Sequence, residues 1–248
     1  MAAPGPRLTG GQGRINIHRS ASASFKKPTS TLRGDDIIRK LTEFMRTHRH
    51  AWLALYFVVF IAAFFTIESL TPTEGYWVTD LPLDDKIPFI PQFIIFYVLW
   101  YPLFAAVGVP LIIFDGEAFK RYMYFTMASL SLSLLFCVII PNGQNLRPED
   151  MEITGISTWL LSKIWAADTN TNVFPSMHVI GCIGAVLGAW DSRIFKGWRW
   201  VILVFSVLIS ASTVFVKQHG IIDAVGALAF AVPIFFAVYS RRFLTRKK

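Results

Sequence analysis

Residues 51–70 read AWLALYFVVFIAAFFTIESL, twenty positions with a single charge, Glu68, near the far end. A helix needs about 20 apolar residues to cross the ~30 Å hydrocarbon core of a bilayer, so this run reads as a membrane span. Five further apolar stretches follow, at about 89–114, 121–140, 176–191, 199–216 and 221–240. The expectation is an all-α, polytopic membrane protein with six transmembrane helices and a membrane domain over residues 51–248. Composition agrees. Hydrophobic residues make up 54% of the chain and charged residues 16%, against about 25% charged in an ordinary soluble domain. The second stretch is long and carries Pro102 and Pro110, so a kink is expected there. The fourth is short and rich in small residues, with Gly184 and Gly188 spaced for close helix approach.

Residues 1–34 are basic and lack apolar periodicity, and read as a disordered tail with no secretory signal. Residues 35–49 set Ile37, Ile38, Leu41, Phe44 and Met45 on one side of an amphipathic helix that could lie on a membrane surface. A solvated linker fits the same pattern. Cys137 and Cys182 both fall inside apolar runs and read as packing residues, with neither a disulfide framework nor metal-ligand spacing.

Six spans bring both termini to one side. That side holds 20 of the 24 Lys and Arg residues, and the other holds Lys86, Arg147, Lys163 and Lys217. The positive-inside rule assigns the basic side, with both termini and the basic tail of residues 1–50, to the cytoplasm. The net charge of +8 is therefore sorted by membrane side, and no nucleic-acid partner is expected. The loop 141–175, His178 and the segment around His219 then share the non-cytoplasmic face.

That face collects the residues able to do chemistry. His219 and Asp223 are four apart, on one face of a helix starting near Gly220. An aspartate on one imidazole nitrogen fixes the tautomer and leaves the other nitrogen nucleophilic. His178 follows Pro175, a residue suited to a helix's first turn, and a helix N-terminus there would attract an anion. Arg147 can fork onto two phosphate oxygens, with Lys217 as a second cation. Ser176 and Ser212 offer hydroxyls, and Asn142 and Gln144 neutral donors. The histidines and Asp223 have acceptable types for a metal site, but no ligand-rich motif accompanies them, and neither a metal nor another cofactor is expected. Residues Asp168-Thr169-Asn170-Thr171-Asn172 read as a polar turn leading into the fourth helix. Ile153–Trp165 carries helical apolar spacing with Trp159 and Trp165 beside it, as an interfacial helix over the site would.

Together these pieces resemble the type 2 phosphatidic acid phosphatase superfamily. Its first motif is Lys, six residues, then Arg-Pro, and Arg147-Pro148 matches the end. Its second is Pro-Ser-Gly-His, matched by Pro175-Ser176-Met177-His178 except for Met177. Its third is Ser-Arg, five residues, His, three residues, Asp, matched by Ser212, His219 and Asp223. The family's Lys and Arg are replaced by Ile140 and Thr213. The pattern looks most like the branch that includes inositol phosphorylceramide synthases and related bacterial membrane proteins. The resemblance implies a lipid phosphatase in the bilayer. His219 would become a phosphohistidine, Asp223 would orient it, His178 would protonate the leaving oxygen, and Arg147 would hold phosphate. The alternatives are a lipid phosphotransferase and a non-catalytic lipid-binding or transport protein.

Overall fold

The computed structural model describes residues 1, 2, 5, 34–72 and 74–245. The expected disordered tail thus lies almost wholly outside the described residues. Helix α1, Gly34–Thr47, forms over the stretch expected to be amphipathic. A 3-10 segment, Arg49–Leu55, leads into α2, Tyr56–Leu70. The other helices are α3 Ile94–Val98, α4 Trp100–Phe114, α5 Gly116–Ile139, α6 Ile156–Ala167, α7 Met177–Asp191, α8 Arg199–Phe215 and α9 Ile221–Thr245.

Local chemistry sets most of these boundaries. Pro102 has no N–H to offer the carbonyl of Val98, and the second apolar stretch breaks at Leu99 into α3 and α4. Asp115 caps α5 by accepting the Ala118 N–H at 3.1 Å. Ser176 caps α7 through Val179 N at 3.4 Å. Pro175 therefore stands just outside the helix, not in its first turn. The expected cover helix forms as α6, and its Leu161 is buried with Ile94, Tyr97 and Val216.

Among the described residues, four helical segments are long and apolar enough to cross a membrane: Arg49–Leu70, Pro91–Phe114, Gly116–Ile139 and Ile221–Ser240. This points to a membrane protein. The remaining two expected spans are shorter, 15 residues in α7 and 17 in α8. At 1.5 Å per residue they reach only about 22 and 26 Å. Helix α7 is the packing centre, in contact with α4, α5, α8 and α9. Its glycines admit those neighbours. A Cβ on Gly181 would lie 2.6 Å from the Trp100 indole nitrogen, and one on Gly188 would lie 3.1 Å from the Tyr122 ring. Outward faces carry large apolar side chains, among them Val58 and Val59 on α2, Leu135 and Val138 on α5, and Leu228 and Phe236 on α9. Such a belt is costly in water and favourable in lipid.

At one end of the bundle the loops are sewn together by backbone pairing that the sequence reading did not foresee. Strand β1, Trp77–Val78, runs parallel to β2, Asn142–Gly143, and Gly143 also bridges to Thr171. A side chain at Gly143 would strike the Tyr76 ring and the Asn170 carbonyl at 2.6 and 2.8 Å. This web gathers residues 76–90, 140–147 and 168–176 around the end of α8 and the starts of α7 and α9.

Candidate active site

His219 owes its place to the way α8 stops. The N–H of Lys217 binds the carbonyl of Val214 at 3.1 Å, and that of Gln218 binds the carbonyl of Thr213 at 2.9 Å. This is a Schellman closure, whose turning residue is usually glycine. Here it is Lys217, at φ 56°. The Lys217 ammonium donates to the carbonyls of Asp84 and Ile87, both at 2.8 Å, which ties the turn to the 80–87 loop. Asp84 completes the join: its Oδ1 accepts the Ile221 N–H at 2.8 Å at the start of α9.

Asp223 is the third residue of α9, and its Oδ2 accepts the Gly220 N–H at 2.9 Å, one half of a capping box. The same oxygen stands 3.4 Å from Nδ1 of His219. The other imidazole nitrogen, Nε2, lies 3.3 Å from Nδ1 of His178. Asp223, His219 and His178 thus form one continuous line. Their helices are fixed to each other by the Ser176 N–H, which binds the Asp223 carbonyl at 3.0 Å. The His178 ring is packed by Tyr97 and Trp100, with centroids at 4.5 and 4.6 Å. Three buried polar atoms on this line, His178 Nε2, His219 Nδ1 and Asp223 Oδ1, have no hydrogen-bond partner among the described residues.

The other expected site residues stand elsewhere. Arg147 Nη2 donates to the carbonyl of Asp168 at 2.9 Å and to Gln218 Oε1 at 2.6 Å, and also reaches the Thr169 carbonyl. Its guanidinium lies over the Trp165 ring at 5.3 Å. Arg147 therefore clamps the 165–169 loop and reaches His219 only through the neighbouring Gln218. Lys217 is spent on loop carbonyls. Ser212 donates within its own helix to Ile209. Asn142 donates to the carbonyls of Ile140 and Phe174, and Gln144 to that of Lys217. Arg147, Lys217, Asn142 and Gln144 thus tie together the loops around the histidines, while Ser212 bonds only within α8. Ser176 is a cap. Of the two positions that depart from the family pattern, Thr213 supports the turn through its carbonyl, and Ile140 ends α5 half-exposed.

Two acidic residues outside the expected site set bear on it, one of them, Asp168, from the expected polar turn. Glu68, from the end of α2, accepts Thr169 N at 2.9 Å, the Thr169 hydroxyl, and Asn172 Nδ2 at 2.6 Å. An ionisable residue in an otherwise apolar span was the available signal. Asp168 accepts Gln218 Nε2 at 2.8 Å. Burial, reinforced by the nearby Glu68 charge, pushes its carboxyl up to about 6.

Two cavities meet at His178 and Asp168. One is small and polar, about 30 Å³, and is walled by Asp168, Thr171, Asn172, His178 and His219 among others. The other is apolar, about 300 Å³, and runs between α2 and α3–α4 over Phe57, Phe60, Phe64, Trp100 and Phe104. A small polar pocket sharing Asp168 and His178 with an aromatic cleft suits a molecule with a polar head and an apolar tail. Comparison with family models, with curated proteins and with solved structures gives no match for this chain.

Proposed function

We propose that this protein is an integral membrane enzyme that cleaves a phosphoryl ester of a lipid through a phosphohistidine on His219. The observation that carries the reading is the Asp223–His219–His178 line beside an aromatic cleft. With its proton on Nδ1, facing Asp223 at 3.4 Å, His219 keeps the Nε2 lone pair. That pair attacks phosphorus, and the bond from phosphorus to the leaving oxygen breaks. The oxygen takes a proton from His178. Water then attacks the phosphohistidine, the N–P bond breaks, and the water proton passes to His178. The two imidazoles stand too close to hold a phosphoryl group between them, so substrate must part them.

This reading places α2, α3–α4, α5, α7, α8 and α9 across the bilayer, with the histidines on the non-cytoplasmic face. The basic asymmetry of 20 residues against 4 supports that orientation. The first form of the reading is a lipid phosphatase. Transfer of a phosphodiester head group to a lipid hydroxyl is favoured by a separate observation: Arg147 and Lys217 are engaged with carbonyls, while Glu68 and Asp168 stand near the histidines. A phosphodiester brings one negative charge where a phosphate monoester brings close to two.

The test is covalent trapping. Purified full-length protein, mixed with lipids labelled at phosphorus and quenched during turnover, is expected to carry acid-labile, base-stable label mapping to His219. Turnover that leaves no label on His219, or that persists in His219→Ala, overturns the mechanism.

A further inference from the structure

We propose that Asp168 is the receptor for a cationic group on the substrate, so that the lipid is a zwitterionic phosphodiester with an ammonium-bearing head group. This rests on the phosphodiester reading of the same site. The argument begins with charge. Asp168 lines the small polar pocket with both histidines, Asp223 stands 3.4 Å from His219, and the two cations expected at the site, Arg147 and Lys217, are held largely by loop carbonyls. Arg147 donates to the Asp168 and Thr169 carbonyls and to Gln218, and Lys217 to the Asp84 and Ile87 carbonyls. No salt bridge reaches Asp168 or Glu68 among the described residues. Burial of Asp168 is costly, and the nearby Arg147 charge offsets only part of that cost, since its carboxyl stays above the ordinary range. A phosphate dianion entering this chamber would add to the cost.

The two acids are not equivalent. Both oxygens of Glu68 accept hydrogen bonds from Thr169 and Asn172, so Glu68 anchors a loop. Asp168 uses only Oδ2, towards Gln218 and the Tyr97 hydroxyl, and its Oδ1 accepts no hydrogen bond from the described residues. Asp168 also lines both cavities. Tyr97, Trp100 and Tyr101 line the larger one with it, Tyr97 and Trp100 packing on His178 and Trp100 meeting Tyr101 edge to face at 5.2 Å. Electron-rich rings beside a carboxylate form a receptor for an ammonium or quaternary ammonium group. A zwitterion would put its phosphate at His219, its cation at Asp168 and an apolar chain in the cleft. It would bring its own countercharge to a site with a surplus of carboxylates.

The experiment compares chain-matched phosphatidylcholine, phosphatidylglycerol and phosphatidic acid as substrates for the full-length protein in mixed micelles. Wild type is expected to favour phosphatidylcholine over phosphatidylglycerol about tenfold in kcat/KM, the size of one favourable charge contact. Asp168→Asn is expected to collapse that ratio to about one through KM, and Asp168→Glu to retain most of it. An unchanged ratio in Asp168→Asn, or a wild-type preference for either anionic lipid, overturns the proposal. A readout on wild type covers the case of a variant that does not fold. A single-chain alkyltrimethylammonium should inhibit phosphatidylglycerol cleavage far more strongly than a chain-matched alkyl glucoside, and equal potency overturns the receptor. Label on His219 from phosphatidylglycerol without a choline preference would sink this inference alone. Absence of label with every lipid would sink the phosphohistidine reading beneath it.

Discussion

The two ends of the helical bundle treat buried charge in opposite ways. At the end where α4 meets α5 and α7 meets α8, charged side chains are matched to partners. Arg121 meets Asp191 at 2.7 Å. Arg199 donates to the carbonyls of Ala189, Trp190 and Ser192, closing the C-terminus of α7. Asp115 caps α5 and accepts the Ser192 hydroxyl at 2.6 Å. At the other end, where α7 and α9 begin, His178, His219 and Asp223 each keep an unpartnered polar atom in a buried setting. Buried polar atoms are nearly always satisfied, so orphans gathered on one line call for an explanation. The first end uses charge to stop helices, and the second is the end at which we propose the chemistry.

The largest effect that can break this contrast is on turnover. Replacing His178 or His219 by Ala is expected to lower kcat by about 10²–10⁴-fold while leaving the thermal unfolding midpoint close to wild type. Asp223→Asn should lose less, because it disturbs orientation and keeps the nucleophile. A histidine variant that unfolds early but turns over normally would make the line a structural feature, like its counterpart at the far end.

Arg121→Met is expected to do the reverse. It removes the Arg121 partner of the buried Asp191 carboxylate, at a cost of about 1.5–3 kcal/mol for a charge-assisted hydrogen bond. The unfolding midpoint should fall while kcat and KM of the remaining folded protein stay near wild type. A large fall in kcat without loss of stability would show that the two ends are coupled.

The smallest effect concerns Asp168 and pH. Its carboxyl titrates near 6, above the ordinary aspartate value of about 3.9, so the folded protein holds that proton more tightly than the unfolded chain. Stability contributed by this group is full below about pH 4 and is lost as pH rises through 6. The facing groups are Glu68 from α2, Tyr97 from α3, Arg147 from the 141–155 loop, and His219 ahead of α9. The expected result is a stability difference, wild type minus Asp168→Asn, that declines between pH 4 and 6 and is flat above 7. A difference that grows with pH would mean that the carboxylate has a cationic partner in the empty protein.

Parts of the fold were legible because they are local. The break at Leu99 follows from the missing N–H of Pro102, and the close approach of α7 to its neighbours follows from Gly181, Gly184 and Gly188. The meeting of His219 with Asp223 follows from a four-residue spacing across a helix start. The pairing of β1 with β2 was not legible, because two-residue strands carry no periodicity and are set by where distant loops come to rest. Glu68 offered a signal in its apolar surroundings. Tyr97 and Trp100 offered none, since aromatic residues in an apolar run are ordinary core material.

What the sequence determined by itself was set by solvent preference and by chain spacing. Long apolar runs form helices suited to lipid, and residues a fixed distance apart share a helix face. The fate of each long polar side chain was decided only in three dimensions. Arg147 and Lys217 have the right charge and lie on the right side for phosphate, yet both are engaged by carbonyls, of residues 168 and 169 and of residues 84 and 87. A cation binds the strongest acceptors within reach. Which acceptors those are depends on loops far away in the chain, and folding alone brings them near.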